Sequence, residues 1–285
     1  MGEIRADSRL NIVEISPLAW AATVRKAAEA MDSSQDAELA AYQASLQAQG
    51  DVTPEVAEEL LRAGILDARG VMSQQWVLAV FLAASAPLRA STIVQRGDTV
   101  QSGGTAQFGD TAQSGGTLES VHTEVGMAGG RGVGLSYRRR ISTEAGGGAV
   151  TEVRNAVEVS FFREEDAWAS LSRHFPDLPR LVDSPDNLPQ ATAADVGCTI
   201  HLEVTAVPPG RHGFQPYQRR HSWGVAERLY SVEASRGDAA TASWMPVPAT
   251  DIASEFAWSV LGGREYLASA RVGADAGAGA GSVHA

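Results

Sequence analysis

Residues Trp223–Leu261, WGVAERLYSVEASRGDAATASWMPVPATDIASEFAWSVL, read as strand, tight turn, strand and helix. Trp223–Ala234 mixes β-branched, aromatic and leucine residues with charge. Ser235-Arg236-Gly237-Asp238 has turn composition, and Ala239–Val247 returns as a second strand. Pro248-Ala249-Thr250-Asp251 then opens a helix carrying Ile252, Phe256 and Val260 at i, i+4 and i+8. An earlier stretch repeats the order. Val133–Ile141 goes out, Glu144–Gly148 turns, and Val150–Phe162 comes back. Arg163–Phe175 follows as a helix with Ala167, Leu171 and Phe175 on one face. A hairpin that feeds a helix twice predicts two related halves sharing an antiparallel sheet.

Working outward, the N-terminal third is helical. Ile12–Ile15 alternates as a short edge strand. Ser16-Pro17 is a helix start, with the serine as N-cap and the proline where its missing N–H costs nothing. The first helix runs to about Met31, and a second spans Asp36–Gln47 with Leu39, Tyr42 and Leu46 at helical spacing. A third begins at Thr53-Pro54 and ends at Gly64, and a fourth runs from Ser73 to Pro87 with Trp76, Val77, Val80 and Phe81 on a broad apolar face. Leu88–Val94 alternates like a strand. Gly97–Thr105 then recurs almost unchanged as Gly109–Thr117, which predicts a flexible or hairpin insertion over 95–118 rather than a solenoid, since two copies do not stack. Leu118–Val125 is a strand and Gly126–Gly132 a glycine-rich turn. Asp177–Asp195, with three prolines, is the linker between an N-terminal half, 1–176, and a C-terminal half, 196–268. In the second half Val196–Val207 is a strand and Pro208–His221 a loop. The Gly-Ala-Ser tail, 269–285, has little to bury and is expected to be disordered.

Composition narrows the function. A chain of 285 residues can bury well over half of its unfolded surface without disulfides or metals. The formal charge of −11 opposes general affinity for nucleic acid or anionic lipid, so partners are expected to be apolar or locally basic. Cys198, the single cysteine, sits in an apolar strand-like run and reads as a buried reduced thiol. Met1–Ala6 lacks the apolar core of a signal peptide, and the most apolar stretch, Trp76–Ala86, is too short to span a bilayer. A cytoplasmic location is the expectation. Lys26 is the sole lysine among 23 basic side chains, a coding bias that says nothing about mechanism.

Each candidate for chemistry has a structural reading. Glu164-Glu165-Asp166 falls in a first helical turn, where acidic side chains complement the dipole. Gly129–Gly134 resembles a phosphate loop, but it precedes a strand where nucleotide loops open a helix. The histidines 122, 174, 201, 212, 221 and 284 form no HExxH and no metal spacing with the cysteine, and no GxSxG elbow occurs. Neither catalytic residues nor a cofactor or metal is expected. Arg211–His221 interleaves base and aromatic, and Arg138-Arg139-Arg140 adds a basic run. These read as exposed residues balancing an acidic protein, or as a protein contact.

The assembled order resembles the EspG family of actinobacterial type VII (ESX) secretion chaperones. The cues are the helical cluster, the Trp76–Pro87 helix ending in Ala-Pro before a strand, and above all Glu227–Val232 through Trp244-Met245-Pro246-Val247-Pro248-Ala249-Thr250. This last segment looks like that family's closing hairpin, in which a tryptophan and a Pro-Ala pair lead into the last helix. The resemblance covers about residues 10–265. It departs in two places. Asp177–Asp195 is too short for the further helical bundle the family usually places there, and the Gly97–Thr117 insertion has no counterpart.

The resemblance implies a cytosolic, non-enzymatic adaptor that binds the apolar tip of secreted PE–PPE heterodimers. Such an adaptor needs an apolar surface with a polar rim. The candidate surface, taken from the residue pattern, is Val133, Leu135, Tyr137, Phe214, Tyr217 and Trp223, with Arg219 and Arg220 on the rim. A core position for Leu135 and Tyr137 fits the pattern equally well. The expected fold is α+β, a mainly antiparallel sheet from two quasi-repeated β-hairpin–helix halves with an N-terminal helical cluster. The alternative functions are an enzyme or small-ligand domain with a cleft between the halves, marked by converging titratable groups, and a nucleic-acid regulator using Arg211–Arg220.

Overall fold

The computed structural model describes residues 10–31, 37–46, 52–97, 116–142, 149–178, 196–209, 215–233 and 243–279, with 271–279 as backbone only. The Gly97–Thr117 repeat between 98 and 115, the turns at Glu144–Gly148 and Ser235–Asp238, the linker from 179 to 195, and Phe214 lie outside the described residues. Among the described residues the helices are α1 (Pro17–Ala30), α2 (Ala37–Ser45), α3 (Pro54–Arg62), α4 (Gln74–Ser85), α5 (Ala167–Ser172) and α6 (Asp251–Gly279). The strands are β1 (Asn11–Ile15), β2 (Leu88–Gly97), β3 (Thr117–Ala128), β4 (Arg131–Ser142), β5 (Ala149–Arg163), β6 (Cys198–Ala206), β7 (Tyr217–Val225), β8 (Leu229–Glu233) and β9 (Ser243–Val247). They form one sheet in the order β1-β5-β4-β3-β2-β6-β7-β8-β9. The fold is therefore α+β on an antiparallel sheet. Both hairpin-to-helix passages are present, as β4, β5, α5 and as β8, β9, α6.

The chain separates into two compact units that interleave along the sequence. The first comprises Met1–Ala86, Thr123–Tyr137 and Arg154–Arg173, and the second Pro87–His122, Arg138–Val153 and His174–Ala285. This division follows proximity rather than the chain order of the halves 1–176 and 196–268.

In the first unit the helical cluster forms for the reasons its caps suggest. The Ser16 hydroxyl accepts from the Ala19 N–H at 3.1 Å. The Ser16 backbone N–H and its hydroxyl donate to the two carboxylate oxygens of Glu59 on α3, at 2.6 and 2.7 Å. One carboxylate thus fixes the start of α1 to α3. The indole N–H of Trp20 donates to the Tyr42 hydroxyl on α2 at 3.1 Å. Around these bonds Ala19, Trp20, Val24, Leu60, Trp76 and Val80 are buried, each large aliphatic side chain contributing ~1.5–3 kcal/mol. α3 ends at Gly64, whose φ of +66° suits glycine. β3 meets α4 at Gly126, where a Cβ would collide with the Leu82 carbonyl, so only glycine permits this backbone approach.

Several sequence expectations change. The Gly126–Gly132 turn is tighter than its composition suggests. β3 runs to Ala128, and only Gly129 and Gly130, at φ +60° and +76°, make the turn. The other glycines stay in strands because α4 and the Phe162 ring occupy the space of a side chain. Arg163–Phe175 is a 3-10 turn, Glu164–Asp166, followed by the short α5. Its first residue is held by the Gly129–Gly130 turn, with Glu164 N–H on the Gly130 carbonyl at 3.2 Å and Gly130 N–H on the Glu164 carboxylate at 3.1 Å. Trp223–Ala234 is two strands, not one, and the first of them, β7, already begins at Tyr217 inside the stretch Pro208–His221 expected to be a loop. The Ala226 N–H donates to the Arg228 carbonyl at 2.9 Å, turning the chain so that Val225 pairs with Leu229. Finally, α6 continues to Gly279 where disorder was expected from 269, through a stretch in which alanine, the strongest helix former, is interspersed with glycine.

The second unit is built on β2, β6 and β7, paired antiparallel with Val94, Ile200 and Trp223 in one row and Ile93, His201 and Ser222 in the next. Alternation gives a clean division of faces. Ala90, Ile200, Leu202, Val204 and Trp223 are buried on one side. The other carries Glu203, His201, Gln218 and Arg220. α6 lies over the buried face. A Cβ on Gly263 would press on Leu88 and Ala206, so α6 approaches the sheet closely at that point.

Candidate partner-binding site

The packing of α6 on β7 makes a ladder of side-chain contacts. At its start the Trp223 indole N–H donates to the Asp251 carboxylate at 2.8 Å. Next, His221 Nε2 stands 3.4 Å from the Glu255 carboxylate, and its ring stacks on Trp223 with centroids 5.7 Å apart. Further along, Tyr217 stacks on Tyr266 at 6.2 Å, and the Tyr266 hydroxyl donates to the Gln215 carbonyl at 2.6 Å. Tyr217, Arg219, His221 and Trp223 share one face of β7 because strand side chains alternate. The register therefore puts Arg219 level with the helical turn that carries Trp258 and Ser259.

The face of α6 turned away from the sheet is apolar at its centre. Trp258 is 69% exposed and Leu261 45% exposed, with Ala257 beside them and Arg264 and Glu265 following. Residues three and four apart share a helix face, so Ala257, Trp258 and Leu261 form one strip. An indole this exposed beside a leucine is an uncommon surface feature and has the composition of a binding anchor.

The sequence-predicted residues separate into three groups. Val133 and Leu135 are buried among the core side chains of the first unit, and Tyr137 is half-buried with its hydroxyl donating to Glu124 at 3.1 Å. Trp223, 1% exposed, supports α6 from beneath and presents no surface. Tyr217 is half-buried, and Arg219 and Arg220 are exposed. Arg220 pairs with Glu203 at 3.0 Å, and Gln218 also donates to that carboxylate. Arg219 makes no ion pair among the described residues. The structure thus keeps Tyr217, Arg219 and Arg220 at the surface and assigns Val133, Leu135 and Trp223 to packing. Trp258 and Leu261 were missed. Their signal was phase: neither falls on the Ile252, Phe256, Val260 stripe of the same helix.

The titratable groups have structural roles. His201 Nδ1 lies 2.9 Å from the Ser222 hydroxyl as a cross-strand pair, and burial holds its pKa below the ordinary value. Burial likewise pushes the Cys198 thiol up. Among the described residues no three His, Cys, Asp or Glu side chains gather as a metal site. No described helix is long and apolar enough to cross a membrane.

The class of protein defined here is an α+β domain pair on an antiparallel sheet, with an exposed aromatic strip on its last helix. No family model and no curated protein matches the chain. Among solved structures it is similar to the Mycobacterium tuberculosis type VII secretion system chaperone EspG5, determined in complex with a PE25-PPE41 dimer. The identity is 10% over 89% of this chain and 95% of that one, with a TM-score of 0.47. A likeness this loose transfers no residue or activity.

Proposed function

We infer that the protein is a non-enzymatic cytoplasmic adaptor of a type VII secretion pathway, which covers the apolar helical tip of PE–PPE-like cargo. The observation that carries this reading is the outward strip of α6, where Trp258 stands 69% exposed. An aromatic anchor on a rigid helix, backed by a buried sheet, is the device by which a chaperone shields an apolar surface without chemistry. Trp258 and Leu261 supply the apolar contact, and Arg219, on the face of β7 that α6 covers, the polar rim. The resemblance of the closing segment through Trp244–Thr250 to the EspG family supports the choice of cargo class.

Affinity capture from the native cytosol, followed by mass spectrometry, tests the assignment. The expected result is a stoichiometric PE–PPE-type heterodimer retained by the wild-type chain. Capture of no such heterodimer from cells that express one would overturn it.

A further inference from the structure

The first unit contains a recessed site that the adaptor reading leaves unused. Two clefts of about 550 and 500 Å3 share Arg131, Phe161 and Phe162 in their walls. One is walled by α4 through Gln74, Gln75, Leu78 and Leu82. The other continues past the Gly129–Gly130 turn to Arg163 and to the start of β1 at Asn11. Each is of the size of ordinary small-molecule sites, ~300–1,000 Å3.

The aromatic wall is fixed in place. Successive residues of β5 point to opposite faces, so Phe161 and Phe162 carry the trough around the strand end. Phe161 packs edge-on against Trp76, with centroids 5.0 Å apart and planes at 86°. Phe162 lies over Gly132, where any Cβ would strike its ring.

The polar groups share one character. In a chain of net charge −11, no Asp or Glu lines either cleft, while two arginines and three amide side chains do. Arg163 has a loose pairing with Glu165 at 3.8 Å, both side chains being largely exposed. Glu164, the next residue, is turned onto the Gly130 N–H. Arg131 is exposed and makes no ion pair or hydrogen bond among the described residues.

We propose that this trough binds a small organic carboxylate with a flat apolar body. The carboxylate pairs with the guanidinium of Arg131, whose planar fork matches it, and the body lies against Phe161 on the side walled by α4. Gln74 and Gln75 supply amide donors beside the same cleft.

Titration calorimetry of the full chain at neutral pH, with naphthoate and its neutral counterpart naphthalenemethanol, tests the proposal. Naphthoate is expected to bind, and both loss of its charge and Arg131→Gln are expected to weaken binding by roughly tenfold or more. Gln75→Glu, which adds a negative charge at the wall, is expected to weaken it too, and Arg219→Gln in the other unit to leave it unchanged. Arg131 and Gln75 are exposed, so unchanged urea midpoints will show that both variants fold. Absence of naphthoate binding, equal binding of acid and alcohol, or indifference to Arg131→Gln would each overturn the proposal. Binding of only a short peptide with a free C-terminus would overturn the small-molecule assignment.

Discussion

The indole N–H of Trp223, in β7, donates to the carboxylate of Asp251, the first residue of α6, at 2.8 Å. This bond ties the last helix to the sheet at the point where the chain leaves β9. A hydrogen bond to a charged group that is half-buried contributes ~1.5–3 kcal/mol. Asp251→Ala is therefore expected to lower unfolding stability by about that amount, and Trp223→Phe to remove the same bond while keeping most of the ring's burial. A double-mutant cycle in urea is expected to give a coupling of at least ~0.5 kcal/mol. Additive losses would show that Asp251 acts only as a first-turn acid.

Two glycines separate steric from conformational demands. Gly126 sits against the Leu82 carbonyl with no room for a Cβ, so Gly126→Ala is expected to cost at least ~2 kcal/mol by overpacking or to prevent folding. Gly129 has open space but a φ of +60°. There Gly129→Ala is expected to cost only ~1–2 kcal/mol, the penalty of a left-handed residue. Equilibrium denaturation of both variants gives the ranking, and a larger loss at Gly129 would contradict the packing of β3 on α4.

His201 gives the fold a defined pH response. Burial disfavours its charged form, so its folded pKa lies below the unfolded value of about 6.5. The unfolded chain then binds the extra proton. Stability contributed by neutral His201 is full above about 6.5 and is lost as pH falls toward and through the folded value. Urea midpoints across this window should fall less for His201→Gln than for the wild-type chain. Parallel curves would show that His201 titrates alike in both states.

Much of this architecture is legible in the sequence. Ser16-Pro17 and Thr53-Pro54 cap helices as their composition demands, and the Leu88–Val94 alternation is a strand with one buried face. Local rules decide such features. The turn at Ala226–Arg228 was hidden because Glu227-Arg228 in a strand-like run reads equally as exposed strand residues. Gly126 and Gly132 looked like turn glycines because the reason for them, a helix backbone and a phenylalanine ring, comes from distant parts of the chain. The site was less legible still. Val133, Leu135 and Trp223 have the residue types of a contact surface, yet tertiary packing uses them as core. Trp258 lies off the inward stripe of Ile252, Phe256 and Val260, and helical phase alone does not separate an exposed anchor from an ordinary surface residue.

The measurement that bears most directly on the adaptor assignment is size-exclusion chromatography with light scattering on the chain co-expressed with a PE–PPE-type heterodimer. The comparison is between wild type and the double variant Trp258→Ser with Leu261→Ser. Truncating an aromatic anchor costs ~2 kcal/mol or more of binding. The wild-type chain is expected to hold the heterodimer in a soluble complex of defined mass, and the variant, equally folded by its urea midpoint, to release it. A complex that forms equally well with the variant would remove α6 from the contact. A heterodimer that never co-elutes with the wild-type chain would contradict the adaptor function itself.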